Sequence, residues 1–206
     1  RPGTGLLKGY LDTAQLPNSR ALLAPAPAPG SAQAAADLQG YDNTRALRNT
    51  PRWALAVRDA ELRFPAAAET FSCALGVAIS EANTPHLNML LQRTLTDASR
   101  STDAAKEAYQ RVRPFAALLQ TSCTPAEETA LAKNGSYPSG HAAIGWAWAQ
   151  VLAGLAPEQA QQLLARGQAF GESRVICGVH WQSDVEAGRI MGCLLYTSDA
   201  ADERSS

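Results

Sequence analysis

Apolar residues recur along most of this chain at spacings of three and four, the period of an amphipathic helix. Trp53, Ala56, Val57, Ala60 and Leu62 fall on a mostly apolar face between Pro51 and Arg63, and Pro51 suits a first-turn position. A helix is also predicted over Ala34–Arg48, and another over Ala66–Ile79 after the break at Phe64-Pro65. Thr84-Pro85 reads as an N-cap and first turn opening a helix over His86–Ala98, where His86 takes a solvated or capping role. Ser101–Arg113 follows and is ended by Pro114, and Thr124-Pro125-Ala126-Glu127-Glu128 has the cap and acidic first turn of a helix start. His141–Leu155 is apolar and helical, Pro157–Gly171 carries another helix, and the run from Val179 lacks Gly and Pro until Gly188. Residues 1–39 differ: Ala24-Pro25-Ala26-Pro27-Ala28-Pro29-Gly30-Ser31 should be extended, an arm over a helical body at 40–192.

The expected architecture is therefore an all-α single-domain helical bundle, since 206 residues suffice for one sizeable core. Composition narrows the function. The apolar fraction is 46% and the net charge −1, without a basic stripe, which argues against nucleic-acid polymer binding. No apolar run approaches the roughly 20 residues of a spanning helix, so membrane insertion is not expected. The chain begins at Arg1, and a removed export signal would be invisible.

Cys73, Cys123, Cys177 and Cys193 make an even count, a weak sign of an oxidising compartment. Residues 193–206 read differently from what precedes them. Cys193 to Glu203 back-translates to a transposase-type sequencing adapter, and the apolar helix pattern is expected to stop at Gly192. The tail is thus expected to be non-native and the domain C-terminally truncated. Cys177 then lacks a native partner, and a Cys73–Cys123 disulfide is expected to tie the helix ending at Arg113 to the body.

Three segments carry chemistry. His180 and Asp184, four apart, would share a helical face, where the carboxylate can fix the imidazole tautomer. Arg174 lies across a Gly-containing turn, where its fork could bind an oxyanion bidentately. Lys106 and Arg113, seven apart, would share a face two turns long. Pro138-Ser139-Gly140-His141 stands at a helix start, where free N–H groups, the Ser139 hydroxyl and Gly140 can cradle an anion. Each segment alone is compatible with a cap, a solvated face or a structural ion pair. Together they hold three cations, amide donors and two of the chain's three histidines. That set answers the needs of phosphoryl transfer without a metal.

Lys106-x6-Arg113-Pro114, Pro138-Ser139-Gly140-His141 and Ser173-Arg174-x5-His180-x3-Asp184 resemble the three-part signature of the type 2 phosphatidic acid phosphatase and vanadium haloperoxidase superfamily. The flanks, from about Gly9 to Gly192, resemble the soluble class A bacterial acid phosphatases. The resemblance implies that His180 is a nucleophile forming a phosphohistidine, oriented by Asp184, with His141 as general acid. Lys106, Arg113, Arg174, Ser139 and the Gly140 N–H would hold the phosphoryl oxygens. It also implies a small phosphomonoester substrate, no cofactor, no metal and a periplasmic location, and leaves a homo-oligomer open. A vanadium haloperoxidase, with His180 as vanadate ligand, and a phosphate-binding protein without turnover are the competing readings. Chain length and flanks argue against the first, and the His180–Asp184 pair against the second.

Overall fold

Helix α10 (Gly140–Leu155) is apolar on nearly every side, and a helix of that kind can only be a central one. The structure, a computed structural model, describes the backbone of residues 6–202 and the side chains of 6–197. Around α10 stand α6 (Pro85–Ser101), α11 (Ala160–Cys177) and α12 (Gln182–Asp202). The outer elements are α1 (Ser19–Leu22), α2 (Ala32–Arg45), α3 (Pro51–Arg58), α4 (Ala66–Glu69), α5 (Ser72–Leu75), α7 (Asp103–Tyr109), α8 (Pro114–Ala117) and α9 (Glu128–Leu131). No strand occurs among the described residues, so the fold is all-α.

Trp148 fills the middle of the core. It is fully buried, is ringed by Phe64, Phe71 and Phe170, and donates its Nε1–H to the Leu91 carbonyl at 2.9 Å. Truncating such a side chain costs about 3–5 kcal/mol. α12 comes against the start of α10 because residue 188 is glycine: a Cβ there would lie 2.3 Å from the Ser139 carbonyl oxygen. At this contact the Ser139 N–H donates to the Asp184 carbonyl at 2.8 Å.

Several expected helices have other ends. α7 stops at Tyr109, Gln110 takes a left-handed φ of 42°, and Arg113 is extended ahead of Pro114. Lys106 and Arg113 therefore do not share a helical face. α11 runs past Gly171 to Cys177 and is closed by Gly178 at φ 81°. α12 then begins at Gln182, which leaves His180 in the turn and Asp184 in the next helix, not on one face. Pro125–Glu127 form a 3₁₀ turn, and Thr124 makes no capping bond. Residues 66–79 hold two short helices, α4 and α5, not one.

The N-terminal stretch lies along α6. Asp97 accepts from the Tyr10 and Leu11 N–H groups at 2.6 and 3.3 Å, and Arg93 donates to the Lys8 and Gly9 carbonyls. Helical structure begins at Ser19 with the short α1, and α2 starts at Ala32, both inside the stretch assigned to the arm. At the other end α12 does not break at Gly192; it continues to Asp202, and Leu195 packs in the main core.

The expected Cys73–Cys123 disulfide is not formed. Cys123 pairs with Cys177, and Cys73 is an exposed free thiol in α5. The reason is local: the Cys123 N–H donates to the Cys177 carbonyl at 2.8 Å, bringing the two Cα atoms to 4.6 Å.

Candidate active site

Arg174 projects from the last turn of α11 and is fully buried, yet none of its three guanidinium nitrogens has a hydrogen-bond partner among the described residues. Buried polar groups are nearly always bonded, and a forked cation of this kind fits an oxyanion. Arg113 is held firmly. Its Nε donates to the Leu131 and Asn134 carbonyls, and its Nη1 donates to the Val179 carbonyl at 2.9 Å and lies 3.0 Å from His180 Nε2. Lys106 Nζ donates to the Gly135 carbonyl at 3.0 Å. Burial, seconded by the Arg113 charge, pushes the Lys106 ammonium down to about 7, with Asp184 opposing. Burial lowers Arg113 and Arg174 to about 10, so both stay charged at neutral pH.

Ser139 caps α10: its Oγ accepts from the Ala142 N–H at 3.3 Å. Its hydroxyl proton can still donate, beside the first N–H groups of α10, which have no partner within the helix. A Cβ built on Gly140 would meet only Thr102 Oγ1, at 3.7 Å, so there is room at this helix start.

The Arg113 N–H against His180 Nε2 makes that nitrogen an acceptor, which puts the ring proton on Nδ1. Nδ1 faces Asp184 Oδ2 at 3.4 Å, a long hydrogen bond. The same Oδ2 accepts the Trp181 N–H at 2.8 Å. Burial, with Arg113, Lys106 and Arg174, holds His180 well below the ordinary histidine range. Burial raises Asp184, against the lowering pull of Arg111. His141 stacks on Phe170 with ring centres 6.1 Å apart, and its Nε2 donates to the Ala60 carbonyl at 3.0 Å. Burial and the Arg174 charge push His141 well down as well.

Sequence reasoning singled out Lys106, Arg113, Ser139, Gly140, His141, Arg174, His180 and Asp184, but not the anchors behind them. Asp184 Oδ1 accepts from Arg111 Nη1 at 2.6 Å, and Arg111 Nη2 reaches Asp37 Oδ2 at 2.7 Å. Asp59, next to the Ala60 carbonyl that receives His141, is gripped by Arg166 and by Ser173 Oγ. Ser173 of the third signature segment thus faces a buried carboxylate. Arg-x-Arg-Pro at 111–114 offers a second guanidinium, but nothing in the sequence pairs it with Asp37 or Asp59 with Arg166.

Lys106, Thr102 and Asn134 also line a cleft of about 810 Å³ that is walled by Leu6 to Gly9 and by Arg100. A separate hollow of about 310 Å³, between α6, α10 and α12, contains none of the three cations or two histidines. Among the described residues, no group of three His, Cys, Asp or Glu side chains is placed to hold a metal ion. No described helix is long and apolar enough to cross a membrane.

Residues 85–198 match the PAP2 superfamily, and the chain belongs to it. It is 46% identical over 183 residues to the non-specific acid phosphatase of Providencia stuartii, covering 88% of this chain and 74% of that protein. It is 45% identical to an acid phosphatase of Zymomonas mobilis, over 82% of this chain and 64% of that one. The non-specific acid phosphatase of Salmonella typhimurium is 42% identical, over 86% and 71%.

Proposed function

We propose that this chain is an acid phosphatase that hydrolyses small phosphomonoesters through a phosphohistidine. One observation carries the reading: a fully buried Arg174, without a hydrogen-bond partner among the described residues, whose charge acts on both His141 and His180. The substrate phosphoryl group is held by Arg174, Arg113, Lys106, Ser139 and the Gly140 N–H. It draws Arg113 Nη1 from His180 and frees the Nε2 lone pair. Nε2 attacks phosphorus, the P–O ester bond breaks, and the leaving oxygen takes a proton from His141. Water then attacks the phosphorus of phosphohistidine and gives a proton to His141. The P–N bond breaks, and inorganic phosphate and neutral His180 result.

His180 must be neutral to attack, and its lowered basicity keeps it so. His141 must be protonated, which burial and Arg174 oppose; the bound phosphate charge offsets those cations and raises it. These demands meet on the acid side of neutrality. A periplasmic location is part of the proposal, supported by the Cys123–Cys177 disulfide.

Rapid quenching during turnover should trap an acid-labile, alkali-stable phosphoryl adduct, with EDTA present, and His180→Ala should abolish it. A fully active His180→Ala protein would end the proposal. His141→Ala should slow alkyl esters by about 10²–10⁴-fold and nitrophenyl esters far less, because only the poor leaving group needs the proton.

A further inference from the structure

We infer that Arg111, clamped between Asp37 and Asp184, is a positioning residue that sets the orientation and tautomer of the His180 nucleophile. The inference rests on the phosphatase reading and adds a layer of residues behind the signature. Arg111 divides its two terminal nitrogens. Nη1 serves Asp184 Oδ1 at 2.6 Å and Ser183 Oγ at 2.8 Å, while Nη2 serves Asp37 Oδ2 at 2.7 Å. With Oδ1 occupied, Asp184 is left with Oδ2 for the Trp181 N–H and His180 Nδ1. Asp37 also accepts the Ser183 N–H at 2.8 Å and the Ser183 hydroxyl at 2.6 Å, which pins the first turn of α12 where Asp184 stands. Both carboxylates are buried, and the Arg111 side chain is 12% exposed.

The charges explain what the clamp does. Two carboxylates and one guanidinium leave a net negative layer behind His180, and Lys106, Arg113 and Arg174 make a positive layer in front. An imidazole between them keeps its proton on Nδ1, toward Asp184, and its lone pair on Nε2, toward the cations. When Nε2 bonds to phosphorus the ring gains positive character, and the Nδ1–H bond to Asp184 strengthens. The groups acting on Asp184 are Arg111, Lys106 and Arg113, with His180 and Tyr137 also facing it. Among the described residues, Arg111 alone makes a charged hydrogen bond to Asp184 Oδ1, the oxygen turned away from His180.

The test compares Arg111→Gln, Arg111→Lys and the isosteric Asp37→Asn in the full chain. For Arg111→Gln, kcat should fall by roughly 10–100-fold, while competitive inhibition by inorganic phosphate changes by less than about threefold, since the three cations are untouched. The acid limb of kcat/KM should move up by about one pH unit, because an Asp184 without its partner protonates more readily. Arg111→Lys should recover part of the loss, and Asp37→Asn should act in the same direction more weakly. ¹⁵N spectra of His180 should show the Nδ1–H tautomer giving way in Arg111→Gln. A purely structural bridge would lower melting temperature or amplitude and leave limb and tautomer in place, and that result overturns the inference. Should Arg111→Gln not fold, Asp37→Asn decides by the same two readouts. The tautomer needs no turnover, so an inactive wild type would sink the phosphatase reading while the spectra still judge the clamp.

Discussion

Arg111 and Arg174 are both largely withdrawn from water, and the fold treats them in opposite ways. Arg111 is enclosed by two carboxylates and a hydroxyl, so its charge is answered inside the protein. Arg174 is more deeply buried and has no hydrogen-bond partner among the described residues. Arg166, gripped by Asp59, follows the first pattern. An answered guanidinium organises its neighbours. One without hydrogen bonds is costly to bury, and an anion from outside that bonded to it would offset that cost.

Replacement of each arginine by a neutral chain of similar length should break the comparison most visibly. Arg174→Met should reduce kcat/KM by about 10²–10³-fold, the loss typical for one charge-stabilising donor, while raising the melting temperature of the free protein. Arg111→Met should lower activity and also stability, by about 3–5 kcal/mol, because Asp37 and Asp184 are left buried without a partner. Nitrophenyl phosphate hydrolysis and thermal melts measure both. Two variants that melt alike would erase the distinction.

The disulfide offers the next largest effect. Cys123 and Cys177 lie 54 residues apart in sequence, so their bridge removes about 4 kcal/mol of unfolded-chain entropy in the loop-closure picture. Cys123→Ser with Cys177→Ser should show a loss of that order in denaturant unfolding. Cys73→Ser should melt like wild type.

The smallest effect concerns Lys106, whose ammonium is lowered from 10.5 to about 7. A lowered lysine contributes stability above its unfolded pKa, and that contribution is lost as pH falls through the folded value. A bound phosphate dianion reverses the preference, since it needs the charged lysine. Phosphate affinity should therefore weaken above about pH 7, by up to about tenfold per pH unit. Calorimetry at several pH values would show it, and Lys106→Met should flatten the slope.

The elements of the candidate site were legible because the signature is a matter of residue type and short spacing. Its geometry was less so. Lys106 and Arg113 reach the same place, but through a left-handed Gln110, and a non-glycine residue at positive φ leaves no mark in sequence. Gly178 was visible as a turn, yet α11 was expected to end at Gly171 and α12 to start near Val179. The cysteine pairing was missed because connectivity does not follow from sequence order. Asp37 was hidden most completely: it sits 146 residues from Ser183, in a predicted helix that carries none of the signature, and only tertiary packing joins them.

The family match starts at residue 85, and every signature residue lies inside it. Asp37, Asp59 and the Ala60 carbonyl lie outside, on the part of the chain that the signature does not mention. A fragment cut at residue 85 would keep every residue that names the family. It would lose Asp37, one of the two counter-ions of Arg111, together with the carboxylate that anchors Ser173 and the acceptor that receives His141. The contacts that hold the candidate site are therefore wider than the family boundary, and trimming to that boundary would keep the parts without their alignment.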